Sequence, residues 1–287
     1  MRYTSPPLPV EHTVFPVPTS PFPSSQPLAA RLIAPVGAAE VRLLSRAGAT
    51  VLALPNRYSV TYLVMSGDAV VVVDVGSHAD VPRILDALRW LGRQPSQVRA
   101  VVVSHYHFDH VMGIDALAQR CGCPVAMSRP AFDSLHDGPA LRTPPGKAVW
   151  PFLLGWARQG FPVLPAADWR VVRRYLDPKA KNPFQSDLVP LDDGQSFFGL
   201  PGWKVRLTPG HSDCSMALVH RRAGFLVTGD TVRNYLGGEW NPLRVDPVQM
   251  EGTIALLRGL PIRTVFPGHG PVLDGENVLE RLKTVRA

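Results

Sequence analysis

Residues 104–110 read SHYHFDH, directly after the apolar run AVVV at 100–103. Three of the nine histidines and one aspartate thus fall within six consecutive positions, at the end of what reads as a buried strand. On an extended segment alternate side chains point the same way, so His105 and His107 face together. Asp109 and His110 lie past the strand end, where the chain turns into a helix. Two imidazoles on one side, with a carboxylate and a third imidazole around a corner, can surround two neighbouring cation positions. Imidazole with carboxylate suits zinc, and also iron or manganese, and the lack of thiolates argues against a closed structural zinc site. Buried without a cation, such a group would leave several polar atoms unsatisfied.

Three later fragments share one form: TPGH ending in His211, VTGD ending in Asp230 and FPGH ending in His269. Each is a β-like run, a glycine and then one potential ligand, and the glycine lets the backbone turn tightly so that the ligand emerges at a strand end. Taken in order, HxHxDH, Gly-His, Gly-Asp and Gly-His resemble the metallo-β-lactamase superfamily, over roughly residues 40–127 and 203–275. The resemblance implies a first metal held by His105, His107 and His211, a second held by Asp109, His110 and His269, and Asp230 bridging the two. The implied cofactors are two divalent cations, zinc first, with iron or manganese compatible. Asp74, in VVVDVG, matches the family's early strand-end acid, which implies support of the ligands through hydrogen bonds. Two cations about 3.5–4 Å apart share a water, lower its pKa toward ~7 and present hydroxide to a carbonyl or phosphoryl group. Asp109 or Asp230 would then take the proton and pass it to the leaving group, the catalytic role expected of that pair.

The resemblance also narrows the reaction. True β-lactamases typically lack an aspartate bridging at the place of Asp230, so the pattern matches thioesterases such as glyoxalase II, lactonases and phosphodiesterases such as RNase Z. Glyoxalase II carries a helical substrate domain after its last ligand, whereas 18 residues follow His269 here, which counts against a glutathione thioester. The expectation is hydrolysis of a small, partly hydrophobic ester, lactone or thioester. The alternatives are a phosphodiesterase or nuclease of the same fold, and an oxidoreductase like the mononuclear-iron persulfide dioxygenases. Trp150, Trp156 and Trp169 are candidates for an apolar pocket wall, and Arg233 with Tyr235 for gripping a substrate carboxylate or phosphate. Tyr106, Phe108 and Cys214 read as packing residues, and His12, His78, His136 and His220 stand outside the motifs.

Around these motifs the chain of 287 residues, 45% hydrophobic and 18% charged, has the composition of a globular protein. Residues 1–35 hold nine prolines and read as an extended arm that docks on its own domain or on a second copy of the chain, giving a homodimer. From 36 to 287 the chain reads as one catalytic domain. Strand-like runs from 40 to 76 are followed by a helix with Val81, Ile84, Leu85, Leu88 and Leu91 on one face, then strand, helix and strand to 127. Residues 128–200, with ten prolines and three tryptophans, read as an inserted, partly helical cap over the site. Strands resume from 203, with a helix near 247–259 and a last helix from about 276. The fold class expected is α/β (α+β): a four-layer αββα sandwich of two mixed sheets with helices outside, plus the aromatic, proline-rich cap.

No stretch reaches the 18 apolar residues of a membrane span, and the start lacks the pattern of a secretory signal, so the expected location is the cytoplasm. Three cysteines read as reduced thiols. The formal charge of +7 comes from scattered arginines, which disfavours nucleic acid and leaves a small-molecule substrate as the expected partner.

Overall fold

The structure is a computed structural model that describes residues 11–13, 41–56, 58–136, 141–142, 165–177, 182–196, 198–235 and 237–284. Most of the proline-rich arm, and Trp150 and Trp156 of the cap, lie outside the described residues.

The first half is a hairpin series that becomes a parallel sheet. Strands β1 (Glu11–Thr13), β2 (Arg42–Arg46), β3 (Ala49–Pro55), β4 (Val60–Ser66) and β5 (Ala69–Val73) run antiparallel to one another. The β4–β5 turn is the pair Gly67–Asp68, with Gly67 at φ +57°, where glycine meets no Cβ penalty. Helix α1 (Val81–Trp90) then crosses over to β6 (Val98–Val103), which lies parallel to β5. Ser77 starts this crossover by accepting the amide of Ala79, and Pro82 sits in the first turn of the helix. Ile84 and Leu88 are fully buried against the sheet, about 1.5–3 kcal/mol each by area transferred from water.

After β6 come two short helices, α2 (Phe108–Val111) and α3 (Ile114–Cys121), then β7 (Val125–Ser128) and α4 (Arg129–Leu135). The single helix expected over this stretch is broken at Gly113. A Cβ there would collide with the Ser77 carbonyl, so the chain passes flat against the loop that follows β5.

The described parts of 128–200, expected as a partly helical cap over the site, include a helix and a strand built into the layers of the first sheet. Helix α5 (Trp169–Leu176) packs beside α2, with Val171 and Val172 in the same core as α1 and α3. Strand β8 (Leu188–Leu191) joins the first sheet parallel to β7. The prolines and tryptophans of this stretch hid a fourth parallel strand from pattern reading.

The second sheet contains β9 (Trp203–Leu207), β10 (Met216–His220), β11 (Phe225–Arg233), β12 (Glu239–Trp240), β13 (Thr264–His269), β14 (Leu273–Asp274) and β15 (Lys283–Thr284). Helix α6 (Pro247–Arg258) covers its outer face, burying Met250, Ile254 and Leu257 against Leu226, Trp240 and Val265. The two sheets face each other across a core of Val51, Tyr62, Val64 and Val71 from one side and Trp203, Leu218, Phe225 and Phe266 from the other. The result is the four-layer αββα sandwich of two mixed sheets. The helix expected from about 276 is instead a run of turns leading into β15. Asn277 has φ +51°, which stops helix propagation, while Val278, Leu279 and Leu282 still reach the core at helix-like spacing. Among the described residues no helix is long and apolar enough to cross a membrane.

Candidate metal centre

Parallel neighbours end at the same edge of a sheet, and that edge is where the polar residues gather. Val73 of β5 pairs in register with Val102 of β6, so Asp74 leaves the sheet within hydrogen-bonding reach of Ser104, which follows the last residue of β6. Asp74 takes φ +59°, a left-handed conformation that a short carboxylate side chain tolerates, and its amide donates to the Val102 carbonyl at 2.9 Å. In the second sheet β11 and β13 are also parallel, bringing Asp230 beside the strand that ends in His269. Glycine at 229 and 268 is required by close approach. A Cβ on Gly229, itself at φ +50°, would strike the Ser104 hydroxyl, and one on Gly268 would strike Asp230 Oδ1.

The seven motif residues form two adjoining groups. His105 Nε2 and His211 Nε2 lie 3.1 and 3.2 Å from His107 Nδ1, and ring nitrogens of these three converge on one point. Beside them His269 Nε2 lies 3.3 Å from His110 Nε2 and 3.4 Å from Asp109 Oδ2. Asp230 sits between the groups. Its Oδ1 is 3.3 Å from His110 Nε2, and its Oδ2 is 3.3 Å from His269 Nε2 and 3.7 Å from His211 Nε2.

Outer hydrogen bonds fix which nitrogen of each ring faces inward. His110 Nδ1 donates to Asp74 Oδ2 at 2.8 Å, and His211 Nδ1 donates to the Leu243 carbonyl at 2.7 Å. His105 Nδ1 lies 3.0 Å from Ser104 Oγ. With Nδ1 committed outward, Nε2 is the nitrogen that His110 and His211 turn to the interior, as a lone pair on His211 and, once its proton is lost, on His110. In the group of His105, His107 and His211, whose rings burial keeps uncharged, nitrogen lone pairs at such separations repel unless a positive centre lies between them. Asp230 Oδ1 is buried with only the His110 ring beside it, at 3.3 Å, so an ionised carboxylate there needs a positive charge close by. The donor set therefore fits divalent metal.

The electrostatics divide the same way. Burial, then the rings of His110 and His107, push His105 well below the usual imidazole value, and burial with His211 takes His107 down to about 3. Burial acts against charge on His110 as well, but Asp230, Asp109 and Asp74 outweigh it and raise that ring to about 10. His269 is held well above its ordinary value, with Asp230 the main carboxylate opposing its burial. Asp230 itself lies well below the carboxylate range; burial is overcome by the charges of His269 and His110.

The remaining candidates fall at different distances from this centre. Tyr235, about half exposed, stacks on the His269 ring at 5.5 Å between centroids. Arg233 lies over the Tyr235 ring, and its Nε donates to Glu239 Oε1 at 2.7 Å. Trp169 is exposed at the start of α5. Cys214 is buried, its sulfur accepting the Tyr106 amide. His136 stacks on Phe132, and His220 packs against Trp203. His78 is held by Asp168, which is fully buried and also accepts from Ser77 Oγ at 2.7 Å and from the His78 amide at 3.0 Å.

Asn241 was not foreseen. Its Nδ2 donates to the Asp230 carbonyl at 2.8 Å and its Oδ1 accepts the Leu243 amide at 3.0 Å, so one side chain ties the backbone of Asp230 to the loop that holds His211. Neither Asn241 nor Ser104 lies in a pattern that distinguishes it from any polar loop residue, although Ser104 adjoins the motif.

Comparison with known proteins agrees with this geometry. A probable metallo-hydrolase of Methanocaldococcus jannaschii is 21% identical over 221 residues, which cover 76% of this chain and 90% of that protein. A hydroxyacylglutathione hydrolase of Rhodobacter capsulatus is 37% identical over 73 residues, about a quarter of each chain: 25% of this one and 26% of its own. Among solved structures, a metallo-beta-lactamase family protein from Thermus thermophilus superposes with TM-score 0.55 at 23% identity, covering 82% of this chain and 76% of that one. A protein crystallised in a di-iron-bound form superposes with TM-score 0.52 at 22% identity, covering 78% of this chain and 93% of that one. The sequence model of the metallo-beta-lactamase superfamily matches residues 54–269, from the end of β3 to the last histidine of the centre, and the chain belongs to that superfamily.

Proposed function

We propose that this protein is a dinuclear metal-dependent hydrolase that cleaves a small, partly hydrophobic ester, lactone or thioester, with zinc as its metal. The observation that carries this reading is the meeting of two donor groups, His105, His107 and His211 in one and Asp109, His110 and His269 in the other, at a buried carboxylate, Asp230, that faces both. Divalent cations held there supply Lewis acidity and an acidified water.

The side chains divide the remaining work. Asp74, through His110, and the Leu243 carbonyl, through His211, hold rings in the orientation that ligation needs. Asp230, held well below the carboxylate range, stays ionised and would face a cation in either donor group. Asp109, the more exposed of the two at 19% of its side chain, would take a proton from water activated at the centre and pass it to the leaving group. Tyr235 gives the mouth of the site an aromatic wall. Arg233 already faces Glu239, so its charge is largely offset, which favours an uncharged acyl substrate over a phosphodiester. The local similarity to a hydroxyacylglutathione hydrolase supports the thioester member of this class.

The test is metal analysis of protein purified without added metal, together with turnover on a panel of one lactone, one thioester and one phosphodiester. The expected result is two zinc ions per chain and hydrolysis of the lactone or thioester. A single iron with oxygen uptake would overturn hydrolysis, and phosphodiester cleavage alone would overturn the acyl substrate.

A further inference from the structure

We infer that Ser104 is a positioning residue through which one carboxylate, Asp74, orients a histidine at each of the two candidate cation positions and so couples them. The inference rests on the metal-centre reading above. Asp74 and Ser104 are both buried, at 1% and 3% exposure. The Ser104 amide donates to Asp74 Oδ1 at 2.8 Å and its hydroxyl donates to Asp74 Oδ2 at 2.6 Å. A hydroxyl has one proton, and here the carboxylate takes it. Toward His105 Nδ1, 3.0 Å away, Ser104 Oγ therefore acts as an acceptor. That places the ring proton on Nδ1 and leaves Nε2 of His105 facing His107 and His211.

The same Asp74 Oδ2 accepts from His110 Nδ1. One oxygen thus governs His110 directly and His105 through a single hydroxyl, and these two rings belong to different donor groups. The second sheet leaves room for the arrangement: Gly229, directly before Asp230, has no Cβ where one would strike the Ser104 hydroxyl. Ser104 is the contact by which a disturbance at one position is passed to the other.

The test uses the full chain with Ser104→Ala, Ser104→Thr and Asp74→Asn. Zinc uptake is titrated against a competing chelator, and the histidine ring nitrogens are followed by NMR in metal-free and zinc-loaded protein. Ser104→Ala is expected to weaken uptake at one of the two positions by about 10–100-fold and to release His105 from a single tautomer, with the His110 ring unchanged. Ser104→Thr, which keeps the hydroxyl, is expected to restore both, and Asp74→Asn to disturb both rings. Zinc affinities within about twofold of the parent in Ser104→Ala, with an unaltered His105 ring, would overturn the relay. So would equal disturbance of His105 and His110. A parent protein that takes up no zinc would instead defeat the metal-centre reading, and the ring spectra of the metal-free chain would still decide the role of Ser104.

Discussion

Asp230 is the side chain that faces both donor groups, since each of its oxygens lies 3.3 Å from a different histidine nitrogen of the second group and one also reaches toward His211. Asp230→Asn keeps the shape and removes the charge. Turnover is expected to fall by about 10²–10⁴-fold, with metal content dropping toward one ion per chain, measured by steady-state kinetics and elemental analysis on the same sample. Protonation makes a second expectation. His110, raised to about 10, and His269, raised well above its usual value, both hold a second ring proton at neutral pH in metal-free protein, and each must lose one to ligate. Metal binding at their position therefore releases about two protons, and affinity climbs as pH rises from 7 toward the His110 value. Calorimetry in buffers of different ionisation enthalpy measures that release; binding that is independent of pH would contradict it. The seven motif residues were readable in the sequence because residue type and position at strand ends carry their meaning. Asn241 and the Leu243 carbonyl were not, since their role lies in what faces them across the fold.

Among elements, the strand ends matter more than the strands. Gly268 lets β13 pass against Asp230, so Gly268→Ala forces the carboxylate aside. The expected result is a loss of about 1–3 kcal/mol of stability, seen as a lower denaturation midpoint, with reduced metal occupancy. An alanine that left metal content unchanged would show that Asp230 has freedom to move. Helix α1 was readable from its apolar spacing and its proline in the first turn, and the early hairpins from their β-rich runs and the Gly-Asp turn between β4 and β5. Three features escaped: the break between α2 and α3, set by the close approach of Gly113 to the Ser77 loop; the strand β8, whose partner β7 lies some sixty residues earlier; and the turns near 276, where Asn277 overrides a helix-like burial pattern. Each was decided by a contact distant in sequence or by one backbone angle.

On the scale of the whole molecule, the donors come from both halves: His105, His107, Asp109 and His110 follow β6 of the first sheet, while His211, Asp230 and His269 belong to the second. Bound cations would join the sheets, so removing them with a chelator is expected to lower the melting temperature by roughly 5–10 °C when free metal had stood near a hundred times its dissociation constant. Calorimetric scans before and after chelation measure the shift. Asp168 adds an anchor of another kind, holding the segment before α5 to the loop beside Asp74. At the opposite margin of the first sheet, β1 pairs with β2, so the outermost strand is three residues long rather than the five of Arg42–Arg46. Without those few residues the longer β2 would offer its amides and carbonyls to any other extended chain, whereas a very short edge strand offers little. A variant lacking residues 1–13 should consequently scatter more light on gentle warming than the full chain does. Self-association would then be held in check by three residues supplied from a stretch that is otherwise dominated by proline.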